Sequence, residues 1–213
     1  MKKIYLILIL ISFCAVIISG FICAEDMKTK TAGKVMSKSE AELRSSMRAL
    51  WDLRATLLRE YIVSAMNDSE GADEAKDKLL NNAGDLGASI RPYYGYWAKS
   101  ILTGLLKKDV LFTGKVIKAA KTGADLDWSK KKWYANAFAV AGFFAITHNQ
   151  TMQDLKDMFY KHLDLTLGEI EAILKKEKAK DLEYYEKDKA HMLMVSDVLV
   201  DGLVKQMPER FKE

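Results

Sequence analysis

Residues 38–67, KSEAELRSSMRALWDLRATLLREYIVSAMN, place Leu43, Met47, Leu50, Leu57, Tyr61 and Ala65 at steps of three, four and seven. That is the period of one buried helix face, and it predicts a helix from Lys38 to Asn67. Asp68-Ser69-Glu70-Gly71 closes it. Five more segments of the same kind follow. The second runs from Ala72 to Ile90 and holds Gly84 and Gly87, which lower helix propensity and suit close packing. Arg91-Pro92-Tyr93-Tyr94-Gly95 breaks the chain. The third segment spans Tyr96 to Lys121. The fourth, Trp128 to Ile146, is apolar nearly all round and is expected at the centre. Thr151 is a candidate N-cap for the fifth, Met152 to Lys176. The sixth runs from Ala179 to Gln206, with Pro208 just beyond. The charged junction between the last two lacks Gly and Pro, so they read as two helices or as one long one.

The fold class expected is all-α, an antiparallel bundle of about six helices over residues 38–213. Composition agrees. Of 213 residues only two are Pro, 49% are hydrophobic and 29% charged, which argues against a turn-rich β fold and against disorder.

Outside the bundle, Lys2 and Lys3 precede an uncharged run from Ile4 to Ala24, closed by Glu25 and Asp26. The run is long enough to span about 30 Å of hydrocarbon. Residues 1–24 are therefore a cleaved signal peptide, with Ile22-Cys23-Ala24 as the cleavage site, or a membrane anchor; lipidation at Cys23 is a third route. Residues 25–37 form a polar tether. Either way the protein is expected outside the cytoplasm, secreted or held on the outer face of the cytoplasmic membrane through residues 4–24. Both cysteines, Cys14 and Cys23, fall inside the run, so the exported domain needs no disulfide. The formal charge of +4 is too mild for nucleic acid, and Lys175 to Lys180, interrupted by Glu177, is a solvated face.

The informative residues are polar ones on apolar stripes. Arg54 interrupts the first. Asp109 stands among Leu102, Leu105, Phe112 and Val116. His162 lies between Phe159 and Leu165, and His191 among Tyr184, Val195 and Val198. Asp188 precedes His191 by three, so both can point one way. A site built from Arg54, Asp109, His162, Asp188 and His191 would hold an anionic ligand on Arg54. A metal on His162, His191, Asp188 and Asp109 is the weaker form, because Arg54 brings a fixed positive charge, as does Lys189 if it faces inward. The preferred expectation is structural: an Arg54–Asp109 ion pair and two hydrogen-bonded histidines that fix helix register. A second candidate is an aromatic wall of Arg91, Tyr93, Tyr94, Tyr96 and Trp97, able to stack on a ring or to cap the bundle. Trp133 and Tyr134, followed by Asn136, are similar. No phosphate loop, dinucleotide fingerprint or nucleophile elbow occurs, so no cofactor is expected and an enzyme is disfavoured. A binding or interaction role in the cell envelope is expected, with a purely structural envelope protein as the alternative.

Leu102, Thr113, Ile117 and Ala119 return as Leu155, Thr166, Ile170 and Ala172, and Asn82-Ala83 returns as Asn136-Ala137. This echo suggests that segments two and three are duplicated in segments four and five.

Several strings also resemble one family. They are Leu50-Trp51, Tyr61-Ile62, Asn82, Asp85 to Gly87, Ile90 and Pro92-Tyr93-Tyr94-Gly95. Leu102-Thr103, Leu105-Leu106, Trp133-Tyr134-Ala135-Asn136-Ala137, His162-Leu163, Thr166 and His191-Met192 complete the set. Over residues 50–210 the chain resembles bacterial and archaeal exported helical proteins with no established function. The resemblance implies an inner histidine set, in which relatives carry His where this chain has Arg54, Asp109 and Lys189. His162 and His191 are what is left of it here. A metal or haem held by relatives would then be absent or held differently in this chain, while Arg and Asp in place of two His keep a complementary pair.

Overall fold

The structure is a computed structural model that describes residues 36–148 and 150–212. The leader, residues 1–24, and nearly all of the tether lie outside the described residues. Among the described residues there is no strand, and no helix is long and apolar enough to cross a membrane.

Among the described residues five helices follow one another: α1 (Lys38–Met66), α2 (Ala72–Thr122), α3 (Leu126–His148), α4 (Met152–Leu174) and α5 (Lys178–Gln206), then a 3-10 turn, Pro208–Phe211. Ser37 caps α1, its hydroxyl accepting from the Glu40 N–H at 3.2 Å, a contact that stabilises by about 1 kcal/mol. Thr151 caps α4 in the same way.

The expected count of six segments is corrected to five hydrogen-bonded helices. Helical backbone continues through Arg91–Tyr94, Pro92 included, and only Gly95 departs from it, at φ 79° and ψ −176°. The positive φ needs glycine. At this one residue the chain folds back. A Cβ on Gly87 would lie 2.8 Å from the Lys99 carbonyl oxygen, so the limbs on either side of Gly95 pack face to face. Far from the reversal, Lys121 bonds the Ala65 carbonyl at 3.1 Å and Asp68 at 2.5 Å, which ties the end of α2 to the end of α1. The described residues thus form a bundle of six antiparallel limbs.

The junction of α4 and α5 is a true break. Lys176 takes a left-handed φ of 60°, and the Glu177 N–H returns to the Ala172 carbonyl at 2.9 Å. A lysine in that position is why the stop carried no sequence signal. The expected central place of the fourth segment is also corrected. α3 is one wall of the bundle, burying Trp133, Val140 and Phe144 while leaving Phe138 and Ile146 exposed.

The limbs form three hairpins, α1 with the first limb of α2, the second limb with α3, and α4 with α5. Equivalent buried positions recur at offsets of 55 and then 53 residues: Trp51, Leu106 and Phe159; Leu58, Thr113 and Thr166; Ile62, Ile117 and Ile170. A side chain of each second limb donates to a carbonyl of the first. Asn82 bonds Leu50 O at 3.1 Å, Asn136 bonds Leu105 O at 3.1 Å, and His191 bonds Met158 O at 2.8 Å. The echo in the sequence therefore has a different phase and one more copy than the pairing of segments two and three with four and five.

Candidate functional site

Arg54, Asp109 and His162 occupy equivalent positions in the three hairpins, at the same offsets of 55 and 53. All three line one cavity of about 20 Å³, with Trp51, Leu106 and Phe159 one turn earlier on the same limbs. The stripes bring them there, because each sits where its helix faces the core.

Arg54 donates from Nη2 to Asp109 Oδ2 at 2.7 Å. The indole N–H of Trp133 donates to the other oxygen, Oδ1, at 2.8 Å. Both side chains of the ion pair are nearly sealed from solvent, Arg54 at 3% exposure and Asp109 at 7%. The aromatic reading of Trp133 is corrected by this contact, since the ring lies in the core as a donor and forms no ligand wall. Tyr134 turns instead to Asp164, and Asn136 to the Leu105 carbonyl.

His162 and Asp188 form a second buried pair, Nδ1 to Oδ1 at 2.7 Å. Burial opposes the imidazolium, but the Asp188 carboxylate outweighs it and holds the ring above the ordinary histidine value. His191 does not join this pair. Its Nε2–H donates to the Met158 carbonyl at 2.8 Å, and burial holds its pKa below the ordinary value. Asp188 and His191 thus grip successive turns of α4 and lock the α4–α5 register. Lys189 turns to Asp52 at 3.3 Å, partly exposed.

The donor set suits a metal poorly. Asp109 spends both oxygens on Arg54 and Trp133, and the Asp188–His162 and His191–Met158 bonds occupy the other candidates. Among the described residues, no three His, Cys, Asp or Glu side chains stand together as a metal would need. The cavity has room for about one water. Two of its lining residues, Trp51 and Arg54, each keep a buried nitrogen, Nε1 and Nη1, without a hydrogen-bond partner.

A third buried pair escaped the sequence reading. Glu169, 2% exposed, accepts from Arg59 Nη1 at 2.8 Å, and Arg59 Nη2 reaches Asp181 at 2.6 Å. Burial lifts the Glu169 carboxyl to about 7 against the pull of Arg59, and the charges of Asp188 and Asp181 add to the lift. Glu169 stands seven residues after His162, so the spacing carried a signal, hidden by the neighbouring Ile170.

Arg59 also lines a groove of about 550 Å³ where the C-terminal halves of α1 and α4 meet the start of α5. Val63, Ile173 and Leu182 make it partly apolar, and with Asp181 bonded to Arg59, Lys176 and Lys178 are its excess cations.

The aromatic wall of Arg91, Tyr93, Tyr94, Tyr96 and Trp97 is divided. Tyr93 stacks on Phe211 at 5.9 Å between centroids, and Tyr94 donates to Gln206 at 2.6 Å beside the His148 ring. Both are half-buried end caps. Arg91, Tyr96 and Trp97 stay exposed. His148, two residues beyond the expected end of the fourth segment, ends α3 almost fully buried, and burial lowers its pKa to about 4.

Compared with family models, curated proteins and solved structures, the chain shows no match.

Proposed function

We propose that this chain is an exported, membrane-tethered envelope protein that acts by binding rather than by catalysis, with the groove at Arg59 as its binding surface. The groove carries the reading. Its volume of about 550 Å³ lies in the range of small-molecule sites, and Lys176 and Lys178 beside Val63, Ile173 and Leu182 suit an acidic, partly apolar ligand or peptide. The inner cluster, whose charges are mutually paired, serves as the scaffold. Export rests on Lys2, Lys3, the apolar run 4–24 and the acids that close it.

Native mass spectrometry of full-length protein extracted from its own host tests the groove. A retained acidic mass is expected in the wild type and lost in Lys176→Glu/Lys178→Glu, two exposed sites. An empty wild type, or a mass that survives both charge reversals, goes against the groove. One observation favours a different reading: the partnerless buried nitrogens of Trp51 and Arg54 beside the cavity suit a small acceptor in the core. A mass lost in Arg54→Met but kept in the double lysine variant would move the function there. Localisation has its own test. A fusion of residues 1–40 to a reporter active only outside the cytoplasm is expected to be active, and a silent but stable fusion removes it.

A further inference from the structure

The end of the bundle where α1 begins is also where the most exposed apolar side chains stand. Arg44, in the second turn of α1, pairs with Asp201 near the end of α5 at 2.6 Å. Tyr94, just before the reversal, bonds Gln206 and meets the His148 ring at 5.3 Å. The start of α1, the reversal at Gly95 and the ends of α3 and α5 therefore share one face. On it, Tyr96 is 68% exposed, Trp97 75% and Ile146 83%. The other exposed large apolar side chains of the described residues range from 44% to 53%.

We propose that this end docks on the phospholipid bilayer, with Tyr96, Trp97 and Ile146 entering its interfacial zone. The inference rests on the tethered reading above and names the surface against which the tether holds the bundle. Twelve residues separate Ala24 from Ser37, and fully extended they reach at most about 40–43 Å. α1 with its 29 residues is about 44 Å long. The opposite end could meet the bilayer only if the tether were drawn out along the whole bundle, whereas the Ser37 end meets it directly. Tryptophan and tyrosine favour the headgroup level, where an apolar ring and a polar N–H or O–H are both satisfied. The charges agree. Asp201 is paired with Arg44 and Glu209 with Lys212, while Arg91 and Arg210 have no ion pair among the described residues. Free cations beside aromatic side chains suit anionic headgroups.

The tryptophans make the test direct. Trp51 and Trp133 are buried, Trp97 marks the tether end, and Trp128, half exposed at the start of α3, marks the other. Full-length protein is reconstituted into phosphatidylcholine–phosphatidylglycerol vesicles with plain or brominated acyl chains. Trp128→Phe leaves Trp97 as the exposed reporter, and Trp97→Phe leaves Trp128. Bromine quenching is expected to be several-fold larger in Trp128→Phe than in Trp97→Phe. Equal quenching in protein that floats with the vesicles overturns the docking and leaves the tether standing. Trp97 shielded from acrylamide but untouched by bromine points to a protein partner and also overturns it. Protein that does not float with the vesicles removes the tethered reading, and the docking falls with it.

Discussion

Asp109→Ala is expected to lower the unfolding free energy by about 3–5 kcal/mol, read as a fall in denaturation midpoint at unchanged slope. Among the described residues the carboxylate is the one acidic partner of Arg54, 2.7 Å away in a nearly dry core. Removing it leaves a guanidinium without its counter-charge and strips the Trp133 N–H of its acceptor. A buried unpaired charge costs several kcal/mol, and an orphaned N–H adds about 1–3 kcal/mol. The double variant Arg54→Met/Asp109→Leu removes both charges together and is expected to cost far less, most of it at Trp133. Trp133→Phe in that background should then be tolerated better than in the wild type. A single variant no worse than the double would mean that the pair is not electrostatically isolated from water.

The pH profile of stability should hold two opposed slopes of similar size. Glu169 has a folded pKa of about 7 against an ordinary 4.5, because burial favours the neutral carboxyl. The folded state then binds more protons than the unfolded one between those values. Stability from this group is full below pH 4.5 and is lost as pH rises through 7. His148 is the reverse. Burial lowers its pKa from 6.5 to about 4, so its contribution is full above pH 6.5 and is lost as pH falls through 4. Each shift corresponds to about 3 kcal/mol. Between pH 4.5 and 6.5 the two cancel, and the wild-type profile from these groups is nearly flat. Separate variants should tilt it. Relative to wild type, Glu169→Gln gains about 3 kcal/mol on going from pH 4.5 to pH 8, and His148→Phe gains about as much on going from pH 6.5 to pH 4. Denaturant titrations across this range decide the matter, and curves parallel to wild type would refute the assignment.

The core's charged residues were legible where a charge fell on an apolar stripe, as at Arg54, Asp109 and His162. Burial demands a partner, and opposite signs on two stripes named it. Trp133 was not legible as a donor, because an indole in a helix stripe looks apolar until an acceptor stands beside its N–H. Arg59 was not legible, because it stands beside Glu60 in a charged pair and nothing local shows that it turns inward to Glu169. The break over Arg91 to Gly95 was legible, but not that it narrows to Gly95 alone, since Pro92 and two tyrosines fit a helical end as well as a break. α3 looked central because composition counts apolar residues without their direction. Phe138 and Ile146 point outward, and only the packing of the limbs could reveal it.

The threefold repeat carries a problem of parity. Three equivalent sites facing one cavity cannot all be neutralised by pairing among themselves, because charges cancel in twos. With Arg54 and Asp109 matched, the third member is left over. His162 solves this by taking Asp188 from its own hairpin as a private counter-ion. A change at any one of these three places therefore alters the charge count for the other two.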